Sequence, residues 1–250
     1  MGFWVRDMGG YVVITRPQPD ANDYALELKA EGYQCLVEPM LRIDPMPFEI
    51  PNLSDYDGVL VTSANAVDCY RRGGADVATV TVYCVGKHSA QAARDAGFDD
   101  VFSVDGTGAD LLMHVLTLDD VKDKRFLHLC GRHIAFPIVG KLNEAGVAAD
   151  MLVVYEAVQA AVFSDDFVRY LRDGKIEVVT FFSKRTAEAF VDLVRENFNE
   201  SESEALFSGI KSLSISTAVL ECVRVLAWDA SHVSDTPDRA GMLALLQAYV

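Results

Sequence analysis

The sequence predicts an α/β protein made of two similar parallel-sheet, three-layer halves joined by an extended connector pair. Three observations predict it. Short apolar runs alternate with helical patterns along all 250 residues, as expected of parallel strands covered on both faces. Four strand–helix units of the first half recur in the same order in the second. Two extended stretches interrupt the alternation, one in each half.

The first run, "YVVITRP" (Tyr11–Pro17), is a strand entering a turn. "PDANDYALELKAEGY" is a helix that Asp20 can N-cap and Gly32 can end. "QCLVEPMLRIDPM", "YDGVLVTS", a helix from Asn65, "VTVYCVG", a helix to Gly97, "DVFSV" and a helix from Gly108 follow. The second half offers "RFLHLCG", "VAADMLVVYEAV", "IEVVTFFS", "KSLSIS" and "VRVLAWD" as strands. The stretch Glu196–Gly209 is polar and reads as a solvated loop or helix end.

The repeat pairs Leu28–Met40 with Leu142–Tyr155, and Asp57–Tyr70 with Glu177–Phe190. It pairs "VTVYCVGKHSAQAA" with "KSLSISTAVLECV", and "VFSVDGTGADLLMHV" with the segment that closes on "SDTPDRAGMLALL". The partners lie 110 to 130 residues apart. Glu38–Leu53 carries four prolines, too many for a helix or a central strand. Its counterpart, Asp150–Phe163, is a long extended run. Both read as connectors. A cleft between two such halves is the default place for a ligand.

Composition narrows the partners. Net charge is −15 and is spread evenly, with 10 Lys/Arg against 18 Asp/Glu in residues 36–160 and 12 against 19 elsewhere. No basic face is available for nucleic acid or an anionic membrane. No segment reaches the roughly 18–20 apolar residues of a membrane helix, and the start "MGFWVRDMGG" lacks the pattern of a secretory signal. Five scattered cysteines, without a Cys-x-x-Cys, fit free thiols in a reducing cytoplasm.

The loops at the predicted carboxyl edge are rich in small polar residues. They include "VTSAN" (Ser63, Asn65), "VGKHS" (Gly86, Lys87, Ser89), "CGRH" (Gly131, Arg132), "FSKRT" (Ser183) and "SISTA" (Ser216, Thr217). Each precedes a helical pattern, so each offers backbone N–H groups at a helix start, where anions are held. Ser, Thr and Asn also cap helices whatever the function, and that simpler use stands beside the ligand-binding one. "DGTGAD" lacks the third glycine of a dinucleotide fingerprint, and no P-loop or nucleophile elbow is present. The five histidines build no metal set. Tyr155, at the end of an extended run, is either packed with its hydroxyl at the surface or a phenol able to donate a proton or hydrogen bond. Arg16, at the end of the first strand, suits a carboxylate or loop carbonyls equally.

In order, "VVITRP", "LELKAEGYQCLVEPMLRI", "YDGVLVTSANAVDCY", "VYCVGKHSAQAARDAGF", "HLCGRH", "LNEAGV", "VVYEAV" and "SDTPDRAGMLALL" resemble the uroporphyrinogen-III synthase (HemD-like) family over nearly the whole chain. The resemblance implies two flavodoxin-like α/β domains, with residues 1–36 and 162–250 forming one, residues 50–150 the other, and 37–49 with 151–161 the connecting strands. It implies closure of hydroxymethylbilane, a linear tetrapyrrole with eight carboxylates, into uroporphyrinogen III. That reaction loses water and inverts the last ring, with no metal or organic cofactor. A cytoplasmic monomer is expected, with this small molecule as its partner. The resemblance puts Tyr155 in the role of assisting hydroxyl departure, with Thr217 beside it as a catalytic candidate. It gives substrate-donor roles to Arg16, Ser63, Asn65, Gly86, Lys87, Ser89, Gly131, Ser183 and Ser216. Two loops depart from the family pattern: Ser214 stands where a glycine is usual, and "SKRT" replaces Ser-Pro-Ser. The alternatives are a non-catalytic two-domain protein that binds a small polyanion, and an inactive paralogue.

Overall fold

The computed structural model describes residues 9–18, 20–75 and 79–250. The opening "MGFWVRDM" and the first eight residues of the expected domain lie outside the described residues.

The chain runs β1 (Tyr11–Ile14), α1 (Asp20–Ala30), β2 (Gln34–Val37), β3 (Leu41–Pro45), β4 (Gly58–Val61), α2 (Ala64–Arg72), β5 (Thr81–Val85), α3 (Gly86–Asp95), β6 (Val101–Val104) and α4 (Gly108–Val115). It continues β7 (Arg125–Gly131), α5 (Ile138–Glu144), β8 (Ala148–Gln159), α6 (Asp165–Arg172), β9 (Ile176–Phe181), α7 (Lys184–Asn197), α8 (Glu200–Phe207), β10 (Lys211–Ser214), α9 (Thr217–Val223), β11 (Ala230–Val233) and α10 (Arg239–Tyr249). Two compact units result: Met1–Arg42 with Val158–Val250, and Ile43–Ala157.

The first unit holds a five-stranded sheet in the order β11-β10-β9-β1-β2, with all described pairings parallel. Its central strands alternate their apolar side chains between two cores. Val12 and Ile14 meet Tyr24 and Leu28 of α1 and Leu246 of α10. Val13 and Phe181 face the opposite layer, where Phe167 of α6, Phe190 of α7 and Phe207 of α8 pack. Burying apolar faces on both sides is what makes these strands read as continuous apolar runs.

The second unit holds a six-stranded sheet in the order β3-β8-β7-β4-β5-β6, and the described pairings among β4 to β8 are parallel. Helices α2 and α3 cover the face of Val59, Val61 and Leu129. Helices α4 and α5 cover the face of Leu60 and Phe126. Read by position, β4, β5, β6, β7 and β8 take the places that β9, β10, β11, β1 and β2 take in the first unit. The repeat seen in the sequence is therefore a repeat of sheet positions, with β1 matched to β7.

Two readings of the sequence need correction. Glu196–Gly209 is more than a polar loop. Asn199 accepts the Glu202 N–H at 3.0 Å and starts α8, whose Phe207 is fully buried against Trp228, ring centroids 5.0 Å apart. "VRVLAWD" is not a strand. Val223 ends α9, and the Trp228 indole N–H donates to the Val223 carbonyl at 2.7 Å, so the run closes a turn and plugs the core with an aromatic ring. The strand comes afterwards, at β11.

Candidate active site

In an open parallel sheet, ligands meet the chain outside the carboxyl ends of the strands, where the strand order reverses. In the second unit the reversal falls between β7 and β4. Three predicted residues, Ser63, Asn65 and Gly131, stand at those two strand ends. Ser63 occupies the N-cap position of α2 in an extended conformation, yet its side chain makes no capping bond. Neither Ser63 nor Asn65 has a side-chain partner among the described residues, and both are half-buried. A serine at a helix start that does not cap leaves its hydroxyl free for something else.

Gly131 ends β7. A Cβ placed there would lie 2.6 Å from Tyr155 Cζ, so only glycine lets the phenol cross the strand end. Gly131 pairs with Tyr155 after a register shift at Cys130, and the Arg132 N–H donates to the Tyr155 carbonyl at 2.9 Å. Tyr155 is half-buried at the edge of the α2–α3 core. Next to it, Arg132 reaches Glu156 at 3.2 Å and remains about half exposed. Arg132 matches Arg16 in the repeat, a correspondence the sequence reading did not use.

The first unit reverses its strand order between β9 and β1. There the Thr15 hydroxyl donates to the Thr180 carbonyl at 2.7 Å, and the Thr180 hydroxyl donates to Val13 at 2.9 Å. Arg16 stacks over Phe182, 4.4 Å from the ring centroid, and its Nη2 meets Asp20 Oδ2 at 2.6 Å. Its Nε is buried without a partner. The guanidinium thus already holds a carboxylate, that of the protein itself. Ser183 is likewise engaged. It accepts the Thr186 N–H at 3.1 Å and shares a 2.7 Å bond with the Thr186 hydroxyl, which is the capping role open to any such serine.

The remaining predicted residues divide the same way. Gly86 opens α3 with φ +75°, a conformation that favours glycine, and open space surrounds it. Lys87 is exposed, with no partner among the described residues. Ser89 instead joins Ala90 and Ala93 on the buried stripe of α3, at 6% exposure. Ser216 sits at the N-cap position of α9 without a side-chain capping bond, and Thr217 is exposed at the first helical position. Ser214, at the end of β10, is fully buried with an unpartnered Oγ.

Comparison with known proteins gives the family and the fold. The profile of the family described as uroporphyrinogen-III synthase HemD matches residues 22–244. The chain belongs to the uroporphyrinogen-III synthase HemD family. It is 25% identical over 193 residues to the uroporphyrinogen-III synthase of Chlorobaculum parvum, covering 73% of this chain and 78% of that one. It is 24% identical over 230 residues to that of Synechococcus elongatus, covering 83% of each. Its fold matches the crystal structure of uroporphyrinogen-III synthetase from Helicobacter pylori with a TM-score of 0.62 at 16% identity, over 96% of this chain and 99% of that one.

Within this family member, one groove of the first unit stands apart from its strand reversal. It measures about 560 Å³ and lies along the end of α7, α8 and residues 225–227. Helix α7 begins at the carboxyl edge of the sheet, so its last turns lie at the opposite edge. Among the described residues, no cluster of three or more His, Cys, Asp or Glu could hold a metal ion, and no helix is long and apolar enough to cross a membrane. Burial pushes the thiols of Cys35 and Cys130 up to about 11 and that of Cys84 to about 12. They stay protonated and pack as small apolar groups.

Proposed function

We propose that this chain closes hydroxymethylbilane into uroporphyrinogen III, and that it does so chiefly by holding the substrate in one conformation with uncharged donors. Loss of water from an electron-rich pyrrole carbinol is intrinsically easy. The demanding step is presenting the right carbon to the cation that forms, and orientation of that kind is worth effective molarities of about 10⁵–10⁸ M. Family membership carries the reading. The support from geometry is the uncharged donors left unengaged at the carboxyl edge of each sheet: Ser63 and Asn65 at the start of α2 and the Gly86 turn in the second unit, with the cation Lys87 beside that turn, and Ser216 with Thr217 at the start of α9 in the first. A carboxylate held by such donors gains about 1.5–3 kcal/mol per bond. Tyr155, packed over Gly131, takes in this reading the role of donating its phenol proton to the departing hydroxyl. Arg16, Ser183 and Ser89 contribute less, because each is committed to an internal contact or buried.

The test is the isomer formed. Hydroxymethylbilane incubated with the chain alone yields the type III product, whereas type I at the spontaneous rate would refute the reading and favour a non-catalytic binder. In the same assay Tyr155→Phe slows turnover more than about tenfold, a barrier change of about 1.4 kcal/mol. An unchanged rate removes Tyr155 from the chemistry.

A further inference from the structure

We infer that His128, a histidine in the middle of an apolar strand, is a positioning residue: its imidazole holds the Thr62 hydroxyl and so sets the turn that carries Ser63 and Asn65. The inference rests on the reading above, in which that turn grips substrate.

Position comes first. His128 of β7 pairs in register with Leu60 of β4, and its Nε2 lies 3.3 Å from Thr62 Oγ1, two residues further on. The bond therefore crosses the point where the strand order reverses. Its surroundings come second. The ring is 1% exposed, and its other nitrogen, Nδ1, is buried without a partner. A leucine in this place would avoid desolvating two ring nitrogens. Packing is incomplete on one side of the ring, where a cavity of about 200 Å³ is lined by Ile134, Pro137, Ile138 and Met151. The ring's bond to Thr62 is the polar contact that orients it. Third, the turn lacks its usual support. Helix α2 has no side-chain cap, and the Ser63 hydroxyl is free. The Thr62–His128 bond anchors the residue before the helix start instead, without capping its N–H groups.

Chemistry assigns the proton. If Nδ1 carried it, a buried N–H would be orphaned; with the proton on Nε2, only a lone pair is left unmet, the lesser defect. Nε2–H then donates to Thr62 Oγ1, which fixes the Thr62 side chain and the turn that follows it.

The test compares His128→Leu, His128→Gln and Thr62→Val, each checked for native circular dichroism, in two assays. In type III synthesis, His128→Leu and Thr62→Val each lower kcat/KM about tenfold, and the double variant loses no more than either alone. His128→Gln, which keeps a donor amide, recovers most of the rate. In the second assay, which needs no substrate, amide hydrogen exchange of residues 63–66 quickens about tenfold in His128→Leu and returns towards wild type in His128→Gln. Multiplicative losses in the double variant, wild-type kcat/KM in His128→Leu, or unchanged exchange in a folded His128→Leu would each overturn the inference. A wild-type chain that makes no type III product would instead sink the functional reading, and the exchange result would stand alone. Should His128→Leu fail to fold, Thr62→Val and His128→Gln carry both assays.

Discussion

At the scale of single residues, the useful distinction is between polar groups that are already engaged and those that are not. Ser63 and Ser183 occupy matching positions in the repeat, each just before a helix that follows a central strand. Sequence treats them alike. The structure does not: Ser183 caps its helix, and Ser63 leaves its hydroxyl free. The two alanine variants should therefore diverge. Ser183→Ala loses a cap and about 1 kcal/mol of stability in urea unfolding, with turnover nearly intact. Ser63→Ala keeps its stability within a few tenths of a kcal/mol and loses about tenfold in kcat/KM, the worth of one charge-assisted bond. The reverse pattern would show that the free hydroxyl is incidental and that the capped one touches substrate. Gly131 makes a related point. Its value lies in a missing Cβ beneath the Tyr155 ring, which a glycine in the string "CGRH" cannot announce.

At the scale of elements, Glu38 ties the segment after β2 to the start of α6. Its carboxylate accepts the Ser164 N–H at 2.8 Å and the Ser164 hydroxyl at 2.5 Å, and Ser164 Oγ in turn accepts the Phe167 N–H at 3.1 Å. The carboxyl is 3% exposed, and burial raises its pKa, with Asp166 adding to the effect and the Ser164 bonds opposing it. A raised pKa favours folding while the group is neutral, and that advantage fades as pH climbs through the folded-state value. Glu38→Gln should hold stability within about 1 kcal/mol of wild type and gain on it as pH rises from 5 to 8. Glu38→Ala orphans the Ser164 N–H and costs about 2 kcal/mol. Urea midpoints at the two pH values decide, and a Gln variant that loses ground as pH rises contradicts the account. Glu38 also illustrates what sequence could and could not give. Strand periodicity and helix punctuation are local, so β1 to β10 and helices α1 to α4 were readable, and the prolines made Glu38–Leu53 read as a connector. Glu38 lay inside that connector as one more polar residue, because its partner is 126 positions away. Helix α8 was missed because its sequence is polar except at the end, where Phe207 meets a core assembled from distant segments. "VRVLAWD" looked like a strand because β-branched and aromatic residues score the same in a strand as in a plugged turn. His128 was visible only as a polar interruption of "FLHLC"; its bond to Thr62 depends on the β4–β7 pairing, which no local pattern specifies.

At the scale of the whole molecule, the two units share one order of sheet positions but carry different buried ionisable groups, and acid should separate them. In the second unit, burial pulls the His128 imidazole down to about 4, from about 6.5 when unfolded. A lowered pKa means that the unfolded chain takes up a proton the folded unit refuses. Stability is then complete above about pH 6.5 and is lost as pH falls towards 4, by about 3 kcal/mol in total. Asp110, held low by its bonds to Thr107 in the cap of α4, works in the same direction, though it is fully exposed. In the first unit, Glu38 has the opposite sign and favours folding as it protonates. His232, lowered by burial and by Lys211, opposes it, but solvent screens that surface group. Trp228, packed among Phe181, Phe190 and Phe207, reports on the first unit. With Trp4 replaced by phenylalanine, it is the chain's one indole. On titration from pH 7 to 4 in mild urea, part of the far-ultraviolet circular dichroism should be lost before the Trp228 emission shifts. His128→Leu should move that first loss to lower pH while leaving the Trp228 transition in place. Coincident transitions in wild type, or a first loss that His128→Leu does not move, would mean that the buried imidazole does not set the acid limit of its unit.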